Sequence, residues 1–225
     1  MKTKLKVQQG FTLIELLVVI AIIAILASVS VPALQNAQIS SKRSKSMQEA
    51  RGIGNALKMY ANDNDQNFPS GDDANEAFAQ LFPEFGKEDP FYVSGSAWHG
   101  TGRKKGGPDN LWGDVDDSGD GGGGEALEAG ENHWAYNKLL ADDTEPTLPM
   151  IADGFSNAVG TYTDDKSAVG GVWRGKKAII VFADYSGKVV TLDKQSFKYI
   201  NKKANDRDEF ARNGCEMVNP KKPSG

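Results

Sequence analysis

One continuous apolar block, Phe11–Val31, constrains this 225-residue chain more than any other feature. Only Thr12, Glu15, Ser28 and Ser30 interrupt it with polar side chains. At ~1.5 Å per residue the block makes a helix ~31 Å long, which is close to the thickness of a bilayer's hydrocarbon core. Lysines and no acidic residues precede it, at Lys2, Lys4 and Lys6. The positive-inside rule therefore predicts that Met1–Gly10 stays in the cytoplasm and that the rest is exported.

Two ordinary interpretations compete for such a block. One is a secretory signal peptide cleaved after small residues near Ala27–Ala33, and the other is a plain single-span anchor. Glu15 argues against both, because an unpaired carboxylate in hydrocarbon costs a few kcal/mol and calls for a partner. Neither interpretation supplies that partner.

The block and the residue before it resemble a specific signal. The sequence from Gly10 through Phe11 and Glu15 to Ala27, with Pro32 beyond it, is similar to the class III signal of type IV pilins and type II secretion pseudopilins. That resemblance implies cleavage between Gly10 and Phe11 by a membrane prepilin peptidase and N-methylation of Phe11. It also implies that the apolar helix is kept and drives assembly of a filament.

Glu15 has a physical role under this interpretation. Cleavage gives Phe11 a new α-amine, and the Glu15 carboxylate of a neighbouring subunit can pair with it inside an apolar helix bundle. Each charge is costly alone, so pairing fixes the axial register between subunits.

The helical pattern continues beyond Pro32, where a missing amide donor predicts a kink. An apolar stripe follows at three- and four-residue spacings, made of Met47, Ala50, Ile53, Leu57 and Tyr60. Basic residues, Lys42, Arg43, Lys45 and Arg51, are expected on the solvent side, with a partner-docking patch as the alternative. Gly52 and Gly54 weaken the helix but permit close packing on a sheet.

The helix is expected to stop near Asn62, where turn formers begin and Pro69 follows. The stretch Ala56–Pro69 resembles the helix exit of major pseudopilins. Asp72 or Asp73 is predicted to cap a short helix over Ala74–Leu81.

Residues 84–131 are rich in Gly, Asp and Pro, so they are predicted to be long loops outside the core. Trp98 and Trp112 are expected to pin these loops to the body. Strands are predicted at His133–Asn137, Leu148–Ala152 and Ala178–Ala183, and the last continues through a turn into Lys188–Leu192 as a β-hairpin.

Three aromatic residues, Trp134, Tyr136 and Phe182, are expected to pack under the long helix. The tail from Phe210 to Gly225 is expected to be flexible. The predicted domain plan is a leader over 1–10, a transmembrane helix over 11–32 and a periplasmic body over 33–225. Within the body, 33–62 continue the helix, 84–131 are loops and 133–200 form the β-region.

An acidic loop, residues 114–125, has the ligand spacing of an EF-hand. Its candidate calcium ligands are Asp114, Asp116, Ser118, Asp120 and Glu125. No clear helix precedes the loop and four consecutive glycines follow Asp120, so a solvated acidic spacer remains the alternative. The resemblance to major pseudopilins, which carry a calcium site in a body loop, favours calcium.

Other classes of function have little support. His99 and His133 are the only histidines and lack metal-site spacing, so packing or surface roles are expected. No P-loop, dinucleotide fingerprint or Gly-x-Ser-x-Gly motif occurs, so we expect no enzyme. The net charge of −4 includes the basic leader, so an acidic body argues against nucleic-acid binding.

The predicted fold is α+β and pilin-like: a long N-terminal helix, transmembrane in its first half, packs on a C-terminal antiparallel sheet. A single cysteine, Cys215, rules out the disulfide of many type IV pilins and favours the pseudopilin branch. The expected function is a subunit of a type II secretion-like pseudopilus in the bacterial inner membrane, assembled with other pseudopilins and an inner-membrane platform. A type IV pilin for adhesion, motility or DNA uptake is the alternative, and a tethered protein that never polymerises is a third.

Overall fold

The computed structural model describes residues 12–82, 85–100, 126–201 and 207–222. The chain divides into two compact units, Met1–Arg43 and Ser44–Gly225. One helix, α1 (Leu13–Asp63), supplies the described secondary structure of the first unit and enters the second. It ends one residue beyond the predicted stop at Asn62 and continues through Pro32.

The described residues of the second unit form one further α-helix, α2 (Ala74–Ala79), and seven short strands. The strands are β1 (Trp134–Asn137), β2 (Pro149–Asp153), β3 (Lys177–Phe182), β4 (Gly187–Thr191), β5 (Ile200–Asn201), β6 (Arg207–Asp208) and β7 (Met217–Val218). Five of them form one antiparallel sheet in the order β4-β3-β2-β1-β7, and β5 pairs with β6. The predicted α+β class, strands and hairpin are therefore confirmed.

The C-terminal part of α1 packs on this sheet through the predicted stripe. Met47, Ala50, Ile53 and Leu57 are all buried, whereas Lys42, Lys45 and Arg51 are exposed as expected and Arg43 is half-buried. Gly54 explains the close approach, because a Cβ there would lie 3.0 Å from the Met150 methyl and 3.4 Å from a Val181 methyl. Gly52 meets nothing within 4 Å.

The two faces of the sheet divide the core. Tyr136, Ile151 and Val181 lie opposite one another across β1, β2 and β3 on the face that carries α1. The alternate residues, including Ala135, belong to a separate buried cluster on the other face. Phe182 belongs to that second cluster, so the prediction that it packs under the long helix was wrong. Because side chains alternate along a strand, Phe182 points away from the face of Val181.

Helix α2 begins where the sequence predicted a cap. The Asp73 carboxylate accepts hydrogen bonds from the backbone N–H groups of Asn75 (2.9 Å) and Glu76 (3.1 Å). These two bonds satisfy amides that have no partner inside the helix. The helix ends at Ala79, two residues before the predicted end.

The loop region contributes more to the core than its composition indicated. Phe91, Val93 and Trp98 are buried, and 3₁₀ turns form at Asp89–Phe91 and Ala97–His99. The prediction that 84–131 lies outside the core was therefore wrong for these residues, because their apolar side chains fill space beside β1. Trp98 pins its loop as expected, while Trp112 lies outside the described residues.

The C-terminal tail is also better ordered than predicted. Phe210 and Met217 are buried, and β7 closes one edge of the main sheet by pairing with β1. The expectation of a flexible tail was wrong for 210–222, because the tail supplies both a strand and core side chains. Strands β6 and β7 also extend the β-region beyond residue 200.

Candidate functional site

The first turn of α1 holds Glu15 in a reciprocal arrangement with Thr12. The Glu15 carboxylate accepts hydrogen bonds from the backbone N–H of Thr12 (2.8 Å) and from its hydroxyl (2.6 Å). The Glu15 N–H in turn donates to the Thr12 hydroxyl oxygen over 3.3 Å. This is a capping box, in which Thr-x-x-Glu satisfies orphan groups at a helix start. The spacing of Thr12 and Glu15 in the sequence is the signal for this box, and it adds a local role for Glu15 to the predicted pairing with a neighbouring subunit.

The helix surface that follows is apolar on every side. From Leu13 to Leu34 all side chains are exposed, with Val29 71% and Ile14 69% accessible. The most apolar 18-residue window has a mean hydropathy of 2.8, and none of it is buried. A helix that is hydrophobic all round requires lipid or other helices as its surroundings. The first unit therefore needs apolar surroundings along Leu13–Leu34.

The two serines in this segment bond within their own helix. The Ser28 hydroxyl donates to the carbonyl of Ile25 (2.7 Å), and the Ser30 hydroxyl donates to that of Leu26 (2.8 Å). Their donors are thereby satisfied without water, as a membrane environment requires. Pro32 has no amide to offer the Ser28 carbonyl, so the backbone ladder is weakest beside these serines. The kink at Pro32 remains a prediction.

In the second unit, three buried polar side chains make a continuous network. Ser96 Oγ lies 2.7 Å from His133 Nδ1, and His133 Nε2 lies 2.8 Å from an Asp153 oxygen. The other Asp153 oxygen accepts from the indole N–H of Trp173 (2.9 Å) and from the backbone N–H of Ile179. The network ties a loop, two strands and the Trp173 turn together.

The order Ser–His–Asp is that of a hydrolase triad, yet these residues are placed for structure. His133 and Asp153 are fully buried and Ser96 is 7% exposed. The Ser96 oxygen also accepts the Trp98 N–H, which fixes it as the cap of a 3₁₀ turn. A nucleophile must reach its substrate, and burial prevents that here.

The second histidine, His99, bonds to two backbone groups. The Val93 N–H donates to His99 Nε2 over 3.1 Å, so that nitrogen is an acceptor, and Nδ1 lies 2.7 Å from the Gly130 carbonyl. A proton on Nδ1 and none on Nε2 satisfies both contacts. Of the two predicted roles, packing or surface, the structure gives packing for both histidines, since His99 and His133 are buried.

Asparagine side chains hold the C-terminal segment in place. Asn137 donates to the carbonyls of Pro149 and Gly214 and accepts from the N–H of Glu216. Asn75 accepts from the N–H of Lys221 over 3.0 Å while donating to the carbonyl of Leu127. The lone Cys215 cannot form an internal disulfide, and these amides fix the same segment to the sheet and to α2.

Several predicted site residues lie outside the described residues. They are Gly10 and Phe11, and the whole candidate calcium loop with Asp114, Asp116, Ser118, Asp120 and Glu125. Within the residues that the structure describes, no group of three or more His, Cys, Asp or Glu side chains is arranged to hold a metal. The processing site and the calcium site therefore stay predictions.

A family model of known proteins matches the N-terminal segment of the chain. Residues 5–31 match the family model described as the prokaryotic N-terminal methylation motif. The type II secretion system core protein G of Escherichia coli (strain K12) is 44% identical over 57 residues, which cover 25% of this chain and 39% of that protein. No solved structure gives a significant match.

Pilins match as well. Fimbrial protein EcpC of Eikenella corrodens is 47% identical over 58 residues, covering 26% of this chain and 38% of that protein. Type IV major pilin protein PilA of Myxococcus xanthus (strain DK1622) is 38% identical over 90 residues, covering 40% of this chain and 38% of that protein. The chain thus spans about two fifths of the length of these relatives. Residues 5–31 thus match the N-terminal methylation motif, and part of the chain is similar to type II secretion core protein G and to pilins, which agrees with the long helix and antiparallel sheet of the predicted α+β fold.

Proposed function

We propose that this chain is a structural subunit of a type II secretion-like pseudopilus. The observation that carries the proposal is the exposed, predominantly apolar surface of Leu13–Leu34, which has Glu15 in its first turn. Packing such helices side by side buries their surfaces against one another, and a charged group placed at the same depth in each can set their register. The matches to core protein G support the secretion branch.

Before assembly the chain is proposed to span the inner membrane once, with its N-terminus in the cytoplasm and its body in the periplasm. The proposed partners are the prepilin peptidase, other copies of this chain, other pseudopilins and the inner-membrane assembly platform. In the monomer, Thr12 satisfies part of the hydrogen-bonding capacity of Glu15. The proposed Phe11 amine of a neighbour would add the opposite charge that Thr12 cannot supply. No catalytic role is proposed.

N-terminal processing tests the first step. Intact-mass and N-terminal analysis of membrane-extracted protein is expected to show N-methylated Phe11 as the first residue. Gly10→Ala is expected to leave the precursor uncut in the membrane, since the motif places the cleaved bond after Gly10. A mature chain that starts near Ala33 would overturn the filament proposal, because the apolar helix would then be lost.

A type IV pilin is the second candidate, favoured by the match to PilA, which extends over 90 residues. Deletion of the gene separates the two. If the chain is a pseudopilus subunit, its deletion is expected to leave secretion substrates in the periplasm and surface filaments unchanged. If the chain is a pilin, its deletion is expected to remove surface filaments and leave secretion intact.

The acidic loop is proposed to bind calcium through Asp114, Asp116, Ser118, Asp120 and Glu125. The support is the ligand spacing of an EF-hand and the charge that a cation would neutralise. At ten times the dissociation constant, binding to the folded form would add about 1.4 kcal/mol. A thermal melt with calcium and with chelator is expected to show the shift, and Asp114→Ala with Glu125→Ala should abolish it. If calcium leaves the melting temperature of the wild-type chain unchanged and calorimetry shows no heat of binding, the loop is a solvated spacer.

A further inference from the structure

A basic pair follows the apolar segment at a fixed distance along the same helix. Leu34 is the last large apolar residue of the segment, and residues 35–41 carry no charge. Lys42 and Arg43 come next, and both belong to the first unit. Lys42 is exposed and Arg43 half-buried, and neither forms an ion pair within the described part of the chain. Lys45 differs, because it pairs with Glu49 over 3.3 Å.

The spacing fits a membrane surface. Eight residues of helix from Leu34 to Lys42 advance about 12 Å, whereas the headgroup layer beyond the hydrocarbon core is about 5–8 Å thick on each side. The backbone of the pair therefore lies a few ångströms above the headgroups. Long basic side chains bridge such a gap by extending their stems along the surface.

The direction of the helix favours that reach. In an α-helix each Cα–Cβ bond tilts toward the helix N-terminus, so a side chain covers the turn that precedes it. The apolar segment lies on the N-terminal side of Lys42 and Arg43. Both side chains consequently lean back toward the bilayer, whereas basic residues placed before the segment would lean away from it.

The charge balance of the span gives the pair a reason to bind lipid. Basic residues near a span are normally concentrated on the cytoplasmic side, yet this chain carries Lys42 and Arg43 on the proposed exported side. The proposed cleavage at Gly10 removes all three lysines of the leader. The mature chain would then have basic residues near its apolar segment only on the exported side.

We propose that Lys42 and Arg43 bind the phosphate groups of anionic phospholipids and so hold the unassembled subunit at the outer surface of the membrane. This inference rests on the proposed function, because it needs the apolar segment to span a bilayer. The contact anchors the mature chain from the exported side after the leader is gone. Incorporation into a filament requires release of the pair from the lipid.

The test uses the chain from Phe11 onward, reconstituted in vesicles of phosphatidylcholine alone or with one third phosphatidylglycerol. A neutral amine reagent labels the lysines, and mass spectrometry compares Lys42 with exposed Lys166 of the same molecule. We expect the Lys42 to Lys166 ratio to fall about threefold in anionic vesicles and to recover at about 0.5 M salt. Arg43→Gln should weaken the protection, while the matched charge loss Lys194→Gln should leave it unchanged.

If the Lys42 to Lys166 labelling ratio is the same in neutral and in anionic vesicles, the proposed lipid contact is wrong. If Lys42 is protected as strongly in neutral as in anionic vesicles, and more strongly at higher protein density, the lipid contact is also wrong, because a second copy of the chain is then the partner. Extraction of the same vesicles with alkaline carbonate separates the two proposals. Protein that resists extraction without Lys42 protection refutes the lipid contact alone, whereas protein that is extracted refutes the membrane span and the lipid contact together.

Discussion

The two units of this chain treat polar and apolar groups in opposite ways. From Leu13 to Leu34 the apolar side chains are outside, and the few polar groups bond to their own helix. From Ser44 onward most of the large apolar side chains are inside, and buried polar groups such as Asp153 bond to distant parts of the chain. Among the described residues, nothing covers the apolar surface of the first unit. In the described part of the second unit, only Trp98, Ser186 and Glu209 leave a buried side-chain polar atom without a hydrogen-bond partner. Mutations should therefore affect assembly in the first unit and folding in the second.

The largest effect is expected at Glu15. Glu15→Leu removes the carboxylate from an apolar surface, so membrane insertion should be unchanged or improved, while filament assembly should fall sharply because the register pairing is lost. Glu15→Asp shortens the reach by one methylene and should cause a partial defect. Membrane fractionation and filament counts measure the two properties separately. Normal filaments from Glu15→Leu would refute the register role.

In the second unit the largest effect is expected at Asp153. Asp153→Ala leaves the N–H groups of Trp173 and Ile179 and the imidazole of His133 buried without their acceptor. The free energy of unfolding should drop by about 3–5 kcal/mol. Denaturant unfolding of the detergent-solubilised chain measures it.

The matched control is Asp165→Ala, because Asp165 is exposed and, among the described residues, its carboxylate accepts hydrogen bonds only from Ser167. Its loss should stay below about 1 kcal/mol. Equal losses at Asp153 and Asp165 would show that the buried network contributes no more to folding than an ordinary surface turn.

The sequence predicted most of what depends on local pattern. The apolar block, the stripe from Met47 to Leu57 and the hairpin at 178–192 all follow from periodicity and turn residues within a short window. The N-terminal motif was also recognisable, since its residues are consecutive. These features could be predicted because residues close together in the sequence determine them.

The rest depends on contacts between residues far apart in the chain. Nothing near His133 indicates that Ser96 and Asp153 lie on either side of it, because they are 37 and 20 residues away. The ordered tail was missed for the same reason, since β7 is only two residues long and gains its place by pairing with β1. Short segments with weak propensity are positioned by tertiary packing.

A pair of glycines on α1 gives a smaller and sharper test of how the helix meets the sheet. Gly52→Ala should raise stability by about 0.5–1 kcal/mol, because alanine favours the helix and no atom lies within 4 Å of the new methyl. Gly54→Ala gains the same propensity but places its methyl 3.0 Å from the Met150 methyl. Its net gain should therefore be smaller or reversed, and thermal unfolding of the two variants side by side measures the difference. Equal gains at both positions would show that the sheet accommodates α1 loosely.

The smallest effect on function is expected at Cys215, where reactivity reports how closed the second unit is. Burial raises the pKa of the Cys215 thiol to about 12, with the Arg212 charge opposing that change. At pH 8 the thiolate fraction of the folded chain is then about 10⁻⁴, against about a quarter for an ordinary thiol. On thiolate fraction alone, a disulfide reagent should react about two thousand times more slowly with the native chain than with the unfolded one, and the native rate should rise about tenfold per pH unit between pH 7 and 10. In a Cys215→Ser background, Ser94→Cys places a thiol at an exposed position as the control and should react rapidly in the folded chain. Equal rates at the two positions would mean that the tail opens readily, so that the asparagine contacts to Gly214 and Glu216 do not hold it as a disulfide would.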